Sequence, residues 1–365
     1  MNFDFDEDQR ALADTVQRFV ARDYAFEKRR AILESPAGWS REIWQALADL
    51  GVLAITIDED YGGLGYGPQE TGLVMNAFGP GLLLEPYLAA AVVAPALIRR
   101  AASADFQEEW LPNIATSETI VVLADADARD VPVTEIGGNL SGRKAVVAHG
   151  GCADLLLVSA RCADGVTGLF AVTPGADGVA LRDYPTLDGQ RAADLTLNNA
   201  PATRLDAGGA ADAIEAALDI GLAALCAEAV GIMQATVAAT TDYLKTRQQF
   251  GQPIGRFQAL QHRMADMLLH QEQARSMSYL AAMHCTDENP TARRRALSAA
   301  KVTVGQACRF IAQNAVQLHG GMGMTDELIV SHWFKRLTTI EMSFGDTDFH
   351  LQRFAANLSR EARAA

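Results

Sequence analysis

The longest helical pattern in the chain spans residues 206–247, DAGGAADAIEAALDIGLAALCAEAVGIMQATVAATTDYLKTR. It is rich in Ala and Leu and is too long to present a single ordinary amphipathic face to one neighbour. A helix that is apolar on most sides is stable only when other elements cover it. Further helical patterns follow at residues 257–285 and 292–320. The C-terminal part of the chain is therefore predicted to be a helical bundle.

The residues before this segment divide into a helical part and a β part. Apolar residues recur at helical spacing between residues 7 and 112, with a Gly-rich loop at 58–70. Between 118 and 205 the pattern changes to short apolar runs such as TIVVLADA and TGLFAVTPG, separated by Gly, Asn, Asp and Pro. The predicted fold class is α+β, mainly α, with an N-terminal α-helical domain at 1–117, a middle β domain at 118–206 and a C-terminal helical bundle domain at 207–365.

Composition and charge disfavour several kinds of partner. The net charge of -14 argues against nucleic acid or an anionic membrane as partner. The five cysteines include no CxxC pair, which suggests neither a disulfide framework nor a zinc site and fits a reducing cytoplasm. The acidic, amphipathic start is unlike a signal peptide, and the most apolar run, residues 88–97, is shorter than a membrane span. We expect a cytoplasmic protein without a metal site and without a nucleic-acid or membrane partner.

Two predicted helix corners could bind a ligand. In TRQQFGQPIGRFQALQHRMADM, residues 246–267, a helix ends near Arg247 and a new one begins at Phe257. The Arg fork suits phosphate oxygens, and Phe250 and Phe257 give flat surfaces for a ring system. In QLHGGMGMTDE, residues 317–327, glycines after a helix allow backbone N–H groups to approach an anion. The first string alone could equally be a helix hairpin, and a lone Gly cluster after a helix is more often a C-cap and turn. Two such corners in one bundle nevertheless favour a ligand site.

The string MSFGDTDFH, residues 342–350, contains two acids, Asp346 and Asp348, between two phenylalanines. A carboxylate that is desolvated among aromatic rings becomes a better proton acceptor, as a general base near neutral pH requires. The alternative is a polar turn between two helices, because Gly and Asp are common turn residues. The local string by itself favours the turn.

Three strings in this order resemble the motifs of the acyl-CoA dehydrogenase family: YGGLG at 61–65, RQQFGQPIGRFQALQH at 247–262 and QLHGGMGM at 317–324. Their separations extend the resemblance over nearly the whole chain, and the second string is the most specific. The resemblance implies an acyl-CoA dehydrogenase-like fold with an N-terminal helical domain, a middle β-barrel or β-sandwich domain and a C-terminal four-helix bundle. Within the family, AILESPAGWSREIWQAL, ALCAEAVGIMQA and FGDTD are most similar to the small subunits of pimeloyl-CoA dehydrogenases.

The resemblance also implies FAD as cofactor and an acyl-CoA thioester as substrate. In the family a base removes the α-proton while hydride leaves the β-carbon for the flavin, and FAD reaches from the β domain to the bundle of a neighbouring subunit. A dimer or tetramer, and electron-transfer flavoprotein as the acceptor, are implied as well. Carried onto this chain, Arg247 would bind the FAD pyrophosphate, and the other FAD contacts would be Phe250, Ile254, Phe257, Gln258, Gln317 and Gly321.

The chain departs from the family pattern on the flavin-ring side. In KAVVAHGG, residues 144–151, Val146 and Ala148 stand where many relatives have the Trp and Thr that pack against the flavin ring. The string ADADARDV, residues 124–131, also lacks the hydroxyl side chains usual at that place. Both losses concern the β domain, so the ring contacts of this chain are expected to differ from those of its relatives.

The catalytic base is a third departure. Ungapped alignment with the family's YEGT motif puts Phe344 at the base position, whereas a two-residue shift that matches the following LQR puts Asp346 there; Asp346 is the catalytic residue that we predict. Relatives that supply Glu from the first long bundle helix have Leu222 at that position here. Glu228 lies about 240° around the helix from it and is predicted to form a buried helix–helix hydrogen bond or salt bridge. Asp219 is predicted to bind substrate in the acyl-CoA channel, with a solvated helical acid as the alternative.

These features leave three hypotheses about function. The first is acyl-CoA dehydrogenase activity, alone or as half of a heteromer, on a fatty, dicarboxylic or steroid side-chain thioester. The second is a non-catalytic subunit that completes the FAD site of a larger paralogous subunit in an α2β2 heterotetramer. The third is a flavin monooxygenase on the same scaffold. The first is favoured.

Overall fold

The computed structural model of the chain describes residues 5–364, with side chains described for residues 5–358. The helices are α1 (Glu7–Asp23), α2 (Phe26–Leu33), α3 (Arg41–Asp49), α4 (Pro68–Phe78), α5 (Ala94–Ala101), α6 (Ala104–Ala115), α7 (Ala211–Thr246), α8 (Gln258–His284), α9 (Pro290–His319), α10 (Ile329–Met342) and α11 (Thr347–Ala364). The strands are β1 (Val121–Ala124), β2 (Thr134–Ile136), β3 (Asn139–Ala148), β4 (Leu155–Arg161), β5 (Thr167–Val172), β6 (Val179–Pro185), β7 (Arg191–Pro201), β8 (Thr203–Arg204), β9 (Gln248–Gln249) and β10 (Gln252–Pro253). A π-helix, Tyr87–Val93, leads into α5.

The chain forms two compact units, each assembled from separate segments. The first comprises the described residues up to Arg30, then Pro68–Leu83, and the chain from Leu222 onwards. The second comprises Ala31–Gly67 and Leu84–Gly221. Helix α7 belongs to both units, because the division falls within it.

The first unit is helical and is built around α7 and α9. Every residue of α7 from Leu222 to Met233 is buried, as the apolar pattern on all sides of the helix predicts. Helices α8, α10 and α11 pack against α9, and α1 packs against α4. By length and composition α7 could cross a bilayer, but 89% of its most apolar 18-residue segment is buried inside the protein. Burial of this extent is the pattern of a core helix.

The second unit contains an eight-stranded mixed sheet. The strand order is β6-β7-β3-β2-β4-β5-β8, with β1 beside β4. Strand β4 pairs in parallel with β1 and β2, and the remaining pairs of this sheet are antiparallel. The β3–β7 register shifts between Lys144 and Val147, which marks a β-bulge. The fold is thus mainly helical with a central sheet, as predicted.

Candidate functional site

The first predicted corner is a tight hairpin that connects α7 to α8. Strands β9 and β10 pair antiparallel, and Phe250 and Gly251 form the turn with φ of 53° and 77°. Two successive positive φ values are those of a type I′ turn, which favours Asn and Gly. For a Phe the left-handed region costs roughly 1–2 kcal/mol, and the Phe250 side chain is nevertheless 88% exposed. The exposed ring makes Phe250 a candidate for contact with a ligand.

The other predicted FAD contacts of this corner lie around the same hairpin. Arg247 and Gln258 are exposed, and Ile254 and Phe257 are half-buried. The ring of Phe250 meets that of Phe257 edge-on, with centroids 5.9 Å apart. The backbone N–H of Ile254 donates to the carbonyl of Arg247 at 2.8 Å. This bond connects the hairpin to the end of α7 and fixes the backbone position of Arg247.

The second predicted corner follows α9 and lies next to the first. Gln317 and Gly321 are exposed, and a Cβ built on Gly321 would meet no atom within 4 Å. The ring of His319 stacks on that of Tyr243 with centroids 4.5 Å apart, and burial lowers the pKa of His319. Tyr243 stands one helical turn before Arg247. The structure therefore brings together two strings that are about 70 residues apart in the sequence.

The residues of the two corners suit the pyrophosphate and adenosine part of FAD. Within residues 5–358, the Arg247 guanidinium has neither a hydrogen-bond nor an ion-pair partner, so its fork is available to phosphate oxygens. The Phe250 ring is exposed, and the backbone at Gly321 is open to close approach. The predicted contacts thus offer a cation, a flat apolar surface and accessible backbone.

The predicted flavin-ring positions lie on the exposed face of β3. Val146 is 62% exposed and Ala148 is exposed, whereas Val147 between them is buried. Val146 sits in the bulge with φ of 54°, a conformation that is an outlier for a β-branched residue. Two residues earlier in β3, the buried Lys144 ammonium donates to the Asp127 carboxylate at 2.7 Å, which fixes the loop before the strand. This surface presents small aliphatic side chains and no indole.

Asp346, the predicted base, is the N-terminal cap of α11. Its Oδ1 accepts the backbone N–H of Phe349 at 2.8 Å, and the residue is exposed. The two preceding residues, Phe344 and Gly345, have φ of 58° and 95°. The local structure is therefore the polar turn that the string itself favours. Catalysis by Asp346 remains a prediction.

A buried lysine beside this turn was not predicted from the sequence. Lys301 is fully buried, and its ammonium donates to the carbonyls of Glu341 at 2.7 Å and Gly345 at 2.8 Å. The Glu341 carboxylate accepts the hydroxyl of Thr347 at 2.8 Å and a guanidinium N–H of Arg309 at 3.1 Å. Helical periodicity could have indicated the lysine, because residues 297, 304 and 308 on the same face are apolar.

A buried histidine holds the same turn from α11. His350 Nε2 donates to the Phe344 carbonyl at 2.9 Å, and Nδ1 lies 3.2 Å from Ser298 Oγ. Because a carbonyl can only accept, Nε2 carries the proton, and Nδ1 accepts from the Ser298 hydroxyl. Burial lowers the pKa of His350 to about 4. The imidazole is therefore neutral at physiological pH.

The three α7 residues considered near the alternative base position, Asp219, Leu222 and Glu228, are all buried. Both carboxylate oxygens of Glu228 accept from Arg336, at 2.6 and 2.7 Å, which confirms the predicted helix–helix salt bridge. Leu222 is buried. Asp219 is 3% exposed, so the alternative of a solvated acid is wrong. Its role in an acyl-CoA channel remains a prediction.

The first unit also contains a cavity of about 550 Å³ that the sequence did not indicate. Residues of α1, α4, α7 and α8 line it, among them Asn76, Val230, Ser278 and Tyr279. The predicted FAD, base and substrate residues lie elsewhere than in this lining.

Comparison with known proteins identifies the family. Residues 6–118 match the acyl-CoA dehydrogenase N-terminal domain, and residues 208–359 match the acyl-CoA dehydrogenase C-terminal domain. Acyl-CoA dehydrogenase FadE27 of Mycobacterium tuberculosis is 28% identical over 97% of this chain and 96% of its own. A chain of the ChsE4-ChsE5 complex from Mycobacterium tuberculosis has a TM-score of 0.89 and 27% identity, covering 98% of this chain and 99% of its own. A chain of a variant of the Tcur3481-Tcur3483 steroid ACAD has the same TM-score, identity and coverage.

The two family matches together span well over half of the sequence. They agree with the mainly helical fold and its central sheet, and with the order of the motifs at 61–65, 247–262 and 317–324. The chain therefore belongs to the acyl-CoA dehydrogenase family and is an oxidoreductase with FAD as its cofactor.

Proposed function

We propose that the chain takes part in the oxidation of an acyl-CoA thioester to the 2,3-enoyl-CoA. The observation that carries this proposal is the adjacency of the two corners, joined by the stacked rings of Tyr243 and His319 at 4.5 Å, in a chain of this family. FAD, when bound, supplies the acceptor for the hydride that leaves the β-carbon. The protein has to bind the cofactor, orient the thioester and accept the α-proton.

Binding of the cofactor is assigned to the corner residues. Arg247 has an unpartnered cation within the described part of the chain and would pair with the pyrophosphate. Phe250 would offer its exposed ring to the cofactor beside it. The full proposed set of FAD contacts is Arg247, Phe250, Ile254, Phe257, Gln258, Gln317 and Gly321.

Proton abstraction on this chain is assigned to Asp346. One of its oxygens, Oδ1, is held by the N–H of Phe349 at 2.8 Å. The other oxygen, Oδ2, has no partner among residues 5–358 and is free to accept a proton from the α-carbon of the thioester. The proposed substrate contact is Asp219, which is buried on α7.

A second candidate function is that of a small subunit that completes the FAD site of a larger paralogous dehydrogenase. Two observations favour it. Asp346 caps a helix, which is a structural role that requires no catalysis, and the flavin-ring positions hold the aliphatic residues Val146 and Ala148. In that arrangement this chain supplies the adenosine side, and the paralogue supplies the ring contacts and the base. The resemblance to the small subunits of pimeloyl-CoA dehydrogenases supports it. So does the similarity to a chain of ChsE4-ChsE5, which was solved as a complex.

The substrate class is proposed from the same likenesses. The pimeloyl-CoA subunits suggest a dicarboxylyl thioester in fatty acid β-oxidation, and the similarity to a steroid ACAD suggests a steroid side-chain thioester. The net charge of -14 makes a dicarboxylyl group less favourable unless an Arg lies at the end of the pocket. We propose electron-transfer flavoprotein as the electron acceptor and the cytoplasm as the compartment.

Purification of this chain, alone and together with the paralogue, tests the proposal. FAD per chain is counted first, and each preparation is then titrated anaerobically with saturated fatty, dicarboxylyl and steroid side-chain CoA thioesters. We expect a yellow preparation that bleaches with one of these classes. Full flavin occupancy and turnover by this chain alone would exclude the small-subunit function. Absence of bleaching with every thioester, with and without the paralogue, would exclude dehydrogenase activity.

A further inference from the structure

Lys301 is a cation on a face of α9 that is otherwise apolar. The side chains of Leu297, Val304 and Cys308 share this face, and all four residues are fully buried. Burial lowers the pKa of the lysine and raises the pKa of Cys226 nearby to about 12, so this thiol stays neutral and does not compensate the ammonium. A buried ammonium is unfavourable unless polar partners replace its hydration. The partners of this ammonium therefore decide whether its burial is tolerated.

Those partners are two backbone carbonyls at the ends of one short loop. Lys301 Nζ donates to the carbonyl of Glu341 at 2.7 Å and to that of Gly345 at 2.8 Å. The first belongs to the last turn of α10, where carbonyls lack helical partners and a cation is favourable. The second immediately precedes Asp346. One ammonium thus ties both ends of the loop to α9.

The loop between these carbonyls needs such support, because it is not relaxed. Phe344 and Gly345 have φ of 58° and 95°, and a Phe in the left-handed region persists only when its surroundings fix it. The Phe344 carbonyl accepts from His350 Nε2 at 2.9 Å, and His350 is oriented in turn by Ser298 at 3.2 Å. The carbonyl of Phe344 is therefore fixed by His350 of α11, and the carbonyl of Gly345 is fixed by Lys301 of α9.

We propose that Lys301 is a positioning residue for the reaction: through the Gly345 carbonyl it sets the direction in which the chain presents the Asp346 carboxylate to the thioester. The inference rests on the proposed function, in which Asp346 accepts the α-proton. It assigns to Lys301 no contact with substrate or cofactor. A displacement of the base of about 1 Å reduces catalysis by about 100-fold, so the loss of this tie is measurable in turnover.

The test is Lys301→Met in the holoenzyme, together with the paralogue if that is needed for turnover. Methionine has a similar length and no charge, so the variant removes the ammonium without opening a large cavity, while the two carbonyls lose their donor. We expect faster amide hydrogen exchange in residues 343–350, a kcat lower by about 100-fold, and unchanged KM and FAD content. The matched control is Lys335→Met on α10, whose ammonium pairs with Asp326 at 2.7 Å on the surface; it is expected to change none of these.

Ser298→Ala is the second variant and covers the case in which Lys301→Met does not fold. Without the hydroxyl, His350 loses the hydrogen bond at Nδ1 and keeps the one from Nε2 to the Phe344 carbonyl. We therefore expect faster amide exchange in residues 343–350 and a lower kcat, both changes being smaller than in Lys301→Met. Unchanged exchange in residues 343–350 of a folded variant overturns the proposed positioning. Faster amide exchange in residues 343–350 together with an unchanged kcat shows that Lys301 orders the loop but does not position the base, which overturns the proposed role in catalysis. If no thioester reduces the flavin of the wild-type assembly, the proposed function fails, while faster exchange in the variant still supports the tie itself.

Discussion

Replacement of Asp346 by Asn separates the two roles that this residue could have, a helix cap and a base. Its Oδ1 accepts the Phe349 N–H at 2.8 Å, and an Asn side-chain oxygen can accept the same bond, since Asn and Asp are about equal as N-caps. Loss of the negative charge at the helix N-terminus costs only about 0.3–1 kcal/mol. The variant should therefore fold with a free energy of unfolding within about 1 kcal/mol of the wild type.

The effect of Asp346→Asn on chemistry should be much larger. An amide cannot accept the α-proton, and a positioned general base contributes about 100- to 10,000-fold to rate, or roughly 3–5.5 kcal/mol of activation free energy. The assay is the anaerobic rate of flavin reduction by an acyl-CoA, measured beside thermal unfolding of the same preparation. Asp346→Ala should lose the rate and also about 1 kcal/mol of stability, whereas Asp348→Asn, in the exposed first turn of the helix, should lose neither. Unchanged flavin reduction in Asp346→Asn would refute the assignment of the base to this residue.

Four further outcomes follow from the described contacts. Arg247→Met should raise the Kd for FAD by about tenfold or more, which equilibrium dialysis with FAD measures. The melting temperature of the apoprotein should not change, because the guanidinium has no partner in the described part of the chain. Phe250→Gly should stabilise the apoprotein by up to about 1 kcal/mol, since the left-handed strain disappears, and should weaken FAD binding; urea unfolding and FAD titration measure the two effects. Glu228→Gln should lower the free energy of unfolding by about 3–5 kcal/mol, because the Arg336 guanidinium, whose side chain is 11% exposed, loses the carboxylate that it pairs with at 2.6 Å, and the double variant with Arg336→Gln should recover part of that loss. Burial lowers the pKa of His350 from 6.5 in the unfolded chain to about 4 in the folded one, so between these pH values the unfolded chain binds more protons. The free energy of unfolding should therefore fall by up to about 3 kcal/mol as the pH drops through that range. Urea unfolding at several pH values measures this, and a His350→Gln variant should show a weaker pH dependence.

The helices of the bundle could be predicted closely from the sequence. The string 206–247 predicts one helix, and the structure has a single helix, Ala211–Thr246. The reason is local: the apolar period and the Gly residues that precede the helix are all contained in the string. The strand order β6-β7-β3-β2-β4-β5-β8 could not be predicted, because pairing joins segments up to about 60 residues apart and short apolar runs carry no information about their neighbours.

The local geometry around the predicted site residues could be anticipated where those residues are contiguous in the sequence. The hairpin around Phe250 lies within one string, so its turn and its neighbours could be named from that string. The support of the Asp346 turn was missed because Lys301, on another helix, reaches backbone atoms some 40 residues later in the chain. Every residue has a backbone carbonyl, so the sequence does not indicate which one will accept a hydrogen bond from a distant side chain. The salt bridge of Glu228 could be anticipated as a type of contact, but its partner Arg336 could not.

We propose that this chain serves an FAD-dependent acyl-CoA oxidation through the corner formed by residues 247–258 and 317–321. The measurement that tests it most directly is an anaerobic spectral titration of the purified chain with its paralogue, carried out in parallel with wild-type and Arg247→Met protein. We expect the wild-type flavin to bleach stoichiometrically with an acyl-CoA. The Arg247→Met preparation should retain less FAD and bleach in proportion to the FAD that it retains. Equal FAD content in both preparations, or a wild-type flavin that no acyl-CoA reduces, would contradict it.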